Sequence, residues 1–143
     1  MLAFTLIALF NLPAIVSAQA FDYTGKYSII TQAGLALDVE GNDKKKDSVN
    51  IVIFTSKPKD LNQHWRIKLD DADGSYYIQN VLTGRYLEVK GGSKSNSAEI
   101  IQYKTSQNRS QRWEIIRESS SSSYYFIKNK NLHTIFEIIV YVY

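Results

Sequence analysis

Two segments of the chain repeat one another closely. Gln63 to Ile67 reads QHWRI, Gln111 to Ile115 reads QRWEI, and each segment ends a longer stretch that matches the other. A recurrence near fifty residues with matched apolar anchors indicates a repeat architecture, in which one unit must bury its apolar face against its copies. Upstream of the two segments, the matched pairs are Tyr27 with Tyr77, Gly34 with Gly84, Leu37 with Leu87, Asp38 with Glu88 and Val39 with Val89.

A third copy begins near the end of the chain. Tyr125 to Asn129 matches Tyr76 to Asn80, and Phe136 to Ile138 matches Leu87 to Val89. His133 stands where the second copy has a glycine, and no third Gln-x-Trp follows. The third repeat is therefore predicted to be incomplete.

The repeats read as short strands, because β-branched and aromatic residues cluster between Gly, Asn, Asp and Ser. No segment after the first twenty residues or so keeps a helical period. The turn Asp73-Gly74-Ser75 is predicted to link the first two repeats. Strands are predicted near Tyr27 to Thr31, Ala36 to Glu40, Asn50 to Phe54, Trp65 to Leu69, Tyr76 to Asn80, Tyr86 to Lys90, Glu99 to Tyr103 and Trp113 to Arg117.

The start of the chain has the pattern of a secretory signal peptide. Leu2 to Val16 is largely apolar and leads into small residues, so we expect residues 1–20 to be removed by cleavage after Ala18 or Ala20. The segment lacks an initial Lys or Arg, which leaves an uncleaved anchor as the alternative. Once the peptide is removed, we expect a secreted, extracellular protein with no stable membrane insertion, since nothing else is long and apolar enough to span a bilayer.

The length, composition and net charge limit the number of domains and the kinds of partner that the chain can have. The 143 residues, 44% of them apolar, fit a signal peptide and one domain over 21–143, which must rely on its core because cysteine is absent. The net charge of +3 is mild. The densest run of positive charge, Lys44 to Lys46, lies between Asp43 and Asp47, so a solvated loop is favoured over a polyanion site, and no nucleic-acid partner is expected. Asn108 begins a glycosylation sequon.

Two pairs of sequence motifs resemble the repeats of a known family. GLALDV from Gly34 with NQHWRI from Asn62, and TGRYLEV from Thr83 with QRWEI from Gln111, look like the repeats of ricin-type (R-type) lectin domains. The resemblance implies an all-β β-trefoil of three four-stranded lobes, here with repeats at about 23–71, 72–120 and a partial 121–143. It also implies a non-catalytic carbohydrate-binding protein with glycans as partners.

The chemistry of sugar recognition suits the residues that the resemblance selects. A sugar site needs a fixed carboxylate or amide to replace water at hydroxyls, and an aromatic face for the apolar side of the ring. Carried over to repeat one, the resemblance implies Asp38 as the acceptor, Phe54 as the stacking ring, Asn62 beside them and Gln63 supporting Asp38. Trp65 and Trp113 are predicted to be core residues instead.

All three repeats depart from the family pattern. Repeat one itself has Val52 where galactose-binding members carry an amide, so a galactose-type ligand is only one possibility. Repeat two offers Glu88, Tyr103 and Gln111, with Ser110 for the asparagine, and is expected to be a degraded or retuned site. Repeat three keeps only Glu137.

Catalysis and cofactors find little support in the sequence. There is no Cys nucleophile, His64 and His133 are the only histidines, and Asp70 to Gly74 fails the calcium-loop pattern, so no cofactor is predicted. The alternative function is a β-trefoil acting through protein contacts, such as a protease inhibitor that presents the loop Asp43 to Ser48.

The unfinished third repeat has three explanations. A complete copy would run roughly thirty residues past Tyr143. The three explanations are a truncated gene model, a partner chain that completes the fold as an oligomer, and an open trefoil. Truncation or mis-splicing is favoured, because the final Ile-Val-Tyr-Val-Tyr no longer follows the repeat.

Overall fold

The structure, a computed structural model, describes residues 24–41, 45–95, 97–131 and 135–136. Across these residues the regular structure consists of short strands and three single 3₁₀ turns. The strands are β1 (Tyr27–Ser28), β2 (Leu35–Val39), β3 (Val49–Thr55), β4 (His64–Asp70), β5 (Ser75–Asn80), β6 (Tyr86–Val89), β7 (Ile100–Tyr103), β8 (Trp113–Arg117), β9 (Tyr125–Asn129) and β10 (Ile135–Phe136).

The strand pairing repeats from one copy to the next. In each of the first two repeats, the second and third strands form a hairpin, β2 with β3 and β6 with β7. The first strand pairs with the fourth, β1 with β4 and β5 with β8. The fourth strand then pairs with the first strand of the next repeat, β4 with β5 and β8 with β9. This antiparallel order is the arrangement expected of successive β-trefoil lobes.

The core lies where the strands of successive repeats meet. Side chains alternate along β5 and β9, so that Ile78 and Ile127 point inward and are fully buried. Both tryptophans are also buried, and each indole N–H donates to a backbone carbonyl, Trp65 to Leu37 at 3.1 Å and Trp113 to Leu87 at 3.0 Å. The prediction that both tryptophans pack in the core is confirmed.

The predicted strands agree closely with the observed ones, with two corrections. β1 is shorter than predicted, since only Tyr27–Ser28 forms a ladder and Ile30 makes an isolated bridge to Ala36. The second correction is one of alignment: Tyr27 faces Trp65 across the ladder, and the residue that faces Trp113 is Tyr76. Tyr27 therefore corresponds to Tyr76, and placing it on Tyr77 was wrong by one residue.

Two glycines allow the turns that lead into β2 and β6. Gly34 and Gly84 both adopt positive φ, +79° and +68°, a region that favours glycine. Gly34 is equivalent to Gly84, and Tyr27 is equivalent to Tyr76. The segment from Tyr27 to Gly34 is therefore one residue shorter than the segment from Tyr76 to Gly84. The residue that replaces this glycine in repeat three, His133, lies outside the described residues, as do Glu137, the signal-peptide segment and the closing residues.

Candidate functional site

The carboxylate of Asp38 is fixed by two side-chain amides. Asp38 lies near the end of β2 and is only 8% exposed. Its Oδ1 accepts a hydrogen bond from Asn62 Nδ2 at 2.8 Å, and its Oδ2 accepts one from Gln63 Nε2 at 2.6 Å. The three residues, which are far apart in sequence, thus form one connected group whose acceptor atoms are held in place.

Gln63 is the element that supports this group. It ends the 3₁₀ turn Leu61–Gln63 and is 1% exposed. Its Nε2 also donates to the carbonyl of Thr55 at 3.0 Å, and its Oε1 accepts from the N–H of Lys57 at 2.7 Å. A buried amide with its donors and acceptor satisfied is rigid, so Gln63 joins β2 to the loop after β3.

Phe54 shares a face of the hairpin with Asp38. Asp38 pairs directly with Val52, and Phe54 is two residues further along β3, so the three side chains lie on the same side of the sheet. The Phe54 ring is 49% exposed, and Lys57 Nζ lies 5.3 Å from its centroid. Phe54 is therefore a surface aromatic and does not belong to the core.

An open cleft of about 620 Å³ lies over this face. Val52 lines it, so a hydrophobic side chain occupies the place where the galactose-binding pattern has an amide. The charges around it are mixed, with three carboxylates and two lysines. The lining residues are Asp38, Glu40, Gly41, Val52, Phe54, Lys57, Lys59, Asp60, Leu61, Asn62 and Leu82.

Repeat two builds the same support around Glu88. Gln111 Nε2 donates to Glu88 Oε2 at 2.6 Å and to the Lys104 carbonyl at 2.7 Å, while its Oε1 accepts from Ser106 N–H at 3.0 Å. Burial raises the pKa of the Glu88 carboxyl, partly offset by hydrogen bonds from Gln111 and Ser106. The scaffold of a carboxylate held by a buried glutamine is thus present twice.

The surroundings of Glu88 differ from those of Asp38. Ser110, at the place of Asn62, is 5% exposed, and its short side chain has no amide to donate to the carboxylate. Tyr103 is half-buried and pairs with Tyr86, whereas Phe54 pairs with the small Ala36. Repeat two therefore keeps an acid and a ring but loses the asparagine that completes the repeat-one group.

The structure also positions residues that the sequence did not single out. Leu82 lines the repeat-one cleft although it belongs to repeat two. Asn80 holds it there, because Asn80 Nδ2 donates to the Asn62 carbonyl at 2.8 Å and Asn80 Oδ1 accepts from the Leu82 N–H at 3.0 Å. The recurrence of asparagine at the ends of β5 and β9 was a usable signal for this contact; for Leu82 itself there was none.

The remaining sequence predictions concern the glycosylation site, the Asp43 to Ser48 loop, and metal or membrane binding. Asn108 is exposed, as glycosylation requires, but modification itself stays a prediction. In the Asp43 to Ser48 loop, residues 43–44 are outside the description, and Asp47 Oδ1 accepts hydrogen bonds from Arg85 Nε at 2.8 Å and from the Lys104 N–H at 3.1 Å. Within the described ranges, no group of acids and histidines could hold a metal, and no helix is long and apolar enough to cross a membrane.

Comparison with known proteins gives a family match over most of the chain. The family described as ricin-type beta-trefoil lectin domain-like matches residues 17–103 and, in a second overlapping match, residues 61–138. No curated protein matches the chain. Among solved structures, the designed threefold-symmetric protein ThreeFoil is similar at 25% identity and a TM-score of 0.65, over 82% of this chain and 89% of that chain.

Two natural structures show the same fold within larger chains. An exo-β-1,3-galactanase from Clostridium thermocellum is 25% identical with a TM-score of 0.68, over 87% of this chain and 28% of that one. The Polyporus squamosus lectin, solved with the epitope Neu5Acα2-6Galβ1-4GlcNAc, is 23% identical with a TM-score of 0.65, over 87% of this chain and 45% of the lectin. The chain thus spans less than half of either protein.

Proposed function

The chain belongs to the ricin-type β-trefoil lectin domain-like family, and from this premise we propose that it is a non-catalytic protein that binds glycans through the cleft of repeat one. Family membership supports carbohydrate binding in general. The observation that carries the assignment to repeat one is the Asp38 carboxylate, held by Asn62 and Gln63 beside the exposed ring of Phe54.

The Asp38 group suits sugar hydroxyls because of its remaining acceptor capacity. A carboxylate offers about four lone-pair sites, and the protein uses one on each oxygen. The oxygens therefore retain acceptor capacity for the hydroxyls of a sugar ring. Their fixed positions lower the ordering cost of binding, since the amides already hold the acceptor geometry before the sugar arrives.

Phe54 supplies the second requirement of a sugar site. One face of a pyranose ring presents C–H groups, which pack against an aromatic ring while the hydroxyls on the edge reach polar groups. Phe54 lies on the same face as Asp38 and is half exposed, so a ring seated on it would lie beside the carboxylate. Galactose-type sugars are the first ligands to test, although Val52 removes one polar contact of the galactose pattern.

The proposal includes a location outside the cell, which the signal-peptide pattern at the start of the chain supports. We place the protein outside the cell after cleavage at Ala18 or Ala20, where free glycans and glycoconjugates are available. A single open cleft binds weakly, and useful avidity requires several sites or several chains. Repeat two, with Glu88, Tyr103 and Gln111, is the weaker candidate, because no asparagine accompanies its carboxylate.

A glycan array with matched variants tests the proposal. Wild-type protein is compared with Asp38→Asn, Phe54→Ala and the control Ile116→Ala, which removes an equally exposed apolar side chain outside the cleft. We expect selective binding by the wild type and by Ile116→Ala, and a loss of at least tenfold in both cleft variants. Circular dichroism confirms that each variant is folded.

Two outcomes contradict the proposal. A folded wild type that binds no glycan would show that the cleft has no sugar function. Binding that survives in both cleft variants would place the sugar elsewhere. Phe54→Ala keeps the test decisive if Asp38→Asn fails to fold, because a side chain that is half exposed contributes little to the core.

A further inference from the structure

The repeat-one cleft has an apolar wall in addition to the Phe54 ring. Leu61 is 42% exposed and Leu82 is 36% exposed, and both line the cleft. Among the described residues, six large hydrophobic side chains are exposed, and three of them, Phe54, Leu61 and Leu82, line this one cleft. Exposed apolar side chains that converge on a concave site indicate a contact surface for a ligand.

The fold does not require leucine at either position. The turn after β9, in repeat three, is the equivalent of the turn after β5 that carries Leu82. The Lys130 N–H donates to the Arg112 carbonyl just as the Val81 N–H donates to the His64 carbonyl, and the Asn131 N–H donates to Asn129 Oδ1 just as the Leu82 N–H donates to Asn80 Oδ1. Asn131 thus occupies the Leu82 position. Arg109 likewise begins the 3₁₀ turn that Leu61 begins in repeat one.

The polar residue that replaces Leu82 in repeat three, Asn131, also has a different contact. Asn131 Nδ2 donates to the Gly92 carbonyl at 3.1 Å, which ties the third lobe to the turn after β6. Leu82 cannot make such a bond, and its side chain remains exposed at the cleft. The turn after β9 therefore links two lobes through Asn131, whereas the equivalent turn after β5 presents an apolar side chain to the repeat-one cleft.

From this difference we infer that Leu82 and Leu61 form a second subsite, which takes the apolar face of the next sugar unit, so that the cleft selects glycans of at least two units. This inference rests on the proposed function of the cleft. A volume of about 620 Å³ lies in the range of clefts that hold drug-sized ligands, and these are larger than one sugar ring. The first ring occupies the Asp38 and Phe54 end, and the second packs on the leucines.

The turn that carries Leu82 is held in place before any ligand binds. Asn80 is fully buried and bonds to the carbonyls of Asn62 and His64 at 2.8 and 3.3 Å, and the Val81 N–H bonds to the His64 carbonyl at 2.8 Å. The asparagine that contacts Asp38 and the leucine of the second subsite are thus connected through Asn80. The complete site consequently spans two repeats.

Affinity ratios for matched sugars test the inference. The probes are three pairs, galactose with lactose, glucose with cellobiose, and N-acetylglucosamine with its β1,4-linked dimer, titrated by NMR into the wild type, Leu82→Asn and Ile116→Asn. Leu82→Asn installs the residue that the equivalent turn of repeat three already carries, so the fold is retained. Ile116→Asn is the control, since its side chain is exposed outside the cleft.

We expect at least one pair in which the disaccharide binds about tenfold more tightly than the monosaccharide, a gain of ~1.4 kcal/mol. Leu82→Asn should reduce this ratio to within about twofold and leave monosaccharide affinity unchanged, while Ile116→Asn preserves the ratio. The inference would be overturned, and the proposed function kept, by either of two results. One is equal affinity for the monosaccharide and the disaccharide in every probe pair that binds, and the other is an affinity ratio that survives Leu82→Asn. Absence of binding to all six probes and to every glycan on the array would instead remove the proposed function, and the inference with it.

Discussion

Gln63 and Gln111 make equivalent sets of contacts in two environments of different sequence. Each is fully buried, donates to a carboxylate and a backbone carbonyl, and accepts from a backbone N–H. The glutamines thus orient the acidic residues and also close the loops that precede β4 and β8. A structural role and a binding role coincide in one side chain.

Replacing either glutamine should destabilise the protein to a similar extent. Gln63→Ala and Gln111→Ala each remove one donor from a buried carboxylate and take a partner away from two backbone groups, so we expect a loss of about 2–3 kcal/mol in the free energy of unfolding. Urea denaturation measures it. Costs below about 1 kcal/mol, or costs that differ between the two variants by more than that, would show that the two networks are not equivalent.

Asp73 makes stability depend on pH in the acidic range. Hydrogen bonds from the Ser75 hydroxyl and N–H, and then from Lys130, lower the pKa of Asp73 from 3.8 to about 2. A lowered pKa in the folded state means that the stabilisation is present above pH 3.8 and is lost as the pH falls through about 2. The side chain is 44% exposed, so solvent screening keeps the effect small.

The variant Asp73→Asn tests this pH dependence. We expect the wild type to lose more stability than the variant between pH 4 and pH 2, as measured by thermal unfolding across a pH series. Asp71→Asn, an exposed neighbour in the same turn, should retain the wild-type slope. Identical slopes for all three proteins would mean that Asp73 has no such role.

At the scale of single residues, the sequence predicted the scaffold better than the site. The buried tryptophans and the acid at the end of β2 follow from repetition, because equivalent positions keep equivalent environments. The role of Leu82 does not follow from repetition, since Leu82 reaches the cleft from the neighbouring lobe and its equivalent in repeat three, Asn131, is polar. A contact that exists in one lobe only leaves no periodic signal.

At the scale of elements, strands were predictable and turn lengths were not. β8 was predicted with the observed bounds, and most other strands agree within one residue, because alternation and turn residues mark them. The one-residue difference between the turns before Gly34 and Gly84 misaligned β1, since a single matched offset cannot describe two strands separated by an insertion. Ladder register, which pairs Tyr27 with Trp65, resolves it.

The turn before β2 depends on the backbone of Gly34. No atom lies within 4 Å of the place where a Cβ would be added, so the cost of a substitution comes from its φ of +79°. Gly34→Ala should therefore reduce the free energy of unfolding by about 1 kcal/mol, and Gly34→Asn by less, because asparagine tolerates this region better. Chemical denaturation distinguishes them, and an Ala variant as stable as the Asn variant would contradict this explanation.

At the scale of the whole molecule, the repeat architecture accounts for both the fold and the position of the cleft. Strand pairing between β4 and β5 brings the turn after β5 against the loop that carries Asn62, so the cleft takes its Leu82 side chain from the neighbouring lobe. The resemblance of the repeats led to the fold, because matched motifs recur at the required spacing. The extent of the cleft could not be predicted, because it depends on how one lobe covers the next.

The most direct test of the central claim is a map of ligand binding on the protein. Amide chemical shifts of labelled protein are followed by NMR during titration with the tightest ligand from the array. We predict saturable changes centred on Asp38, Phe54 and Asn62 and extending to Leu82. Changes centred instead on Glu88 and Tyr103, or on the Asp47 loop, would contradict a carbohydrate site in repeat one.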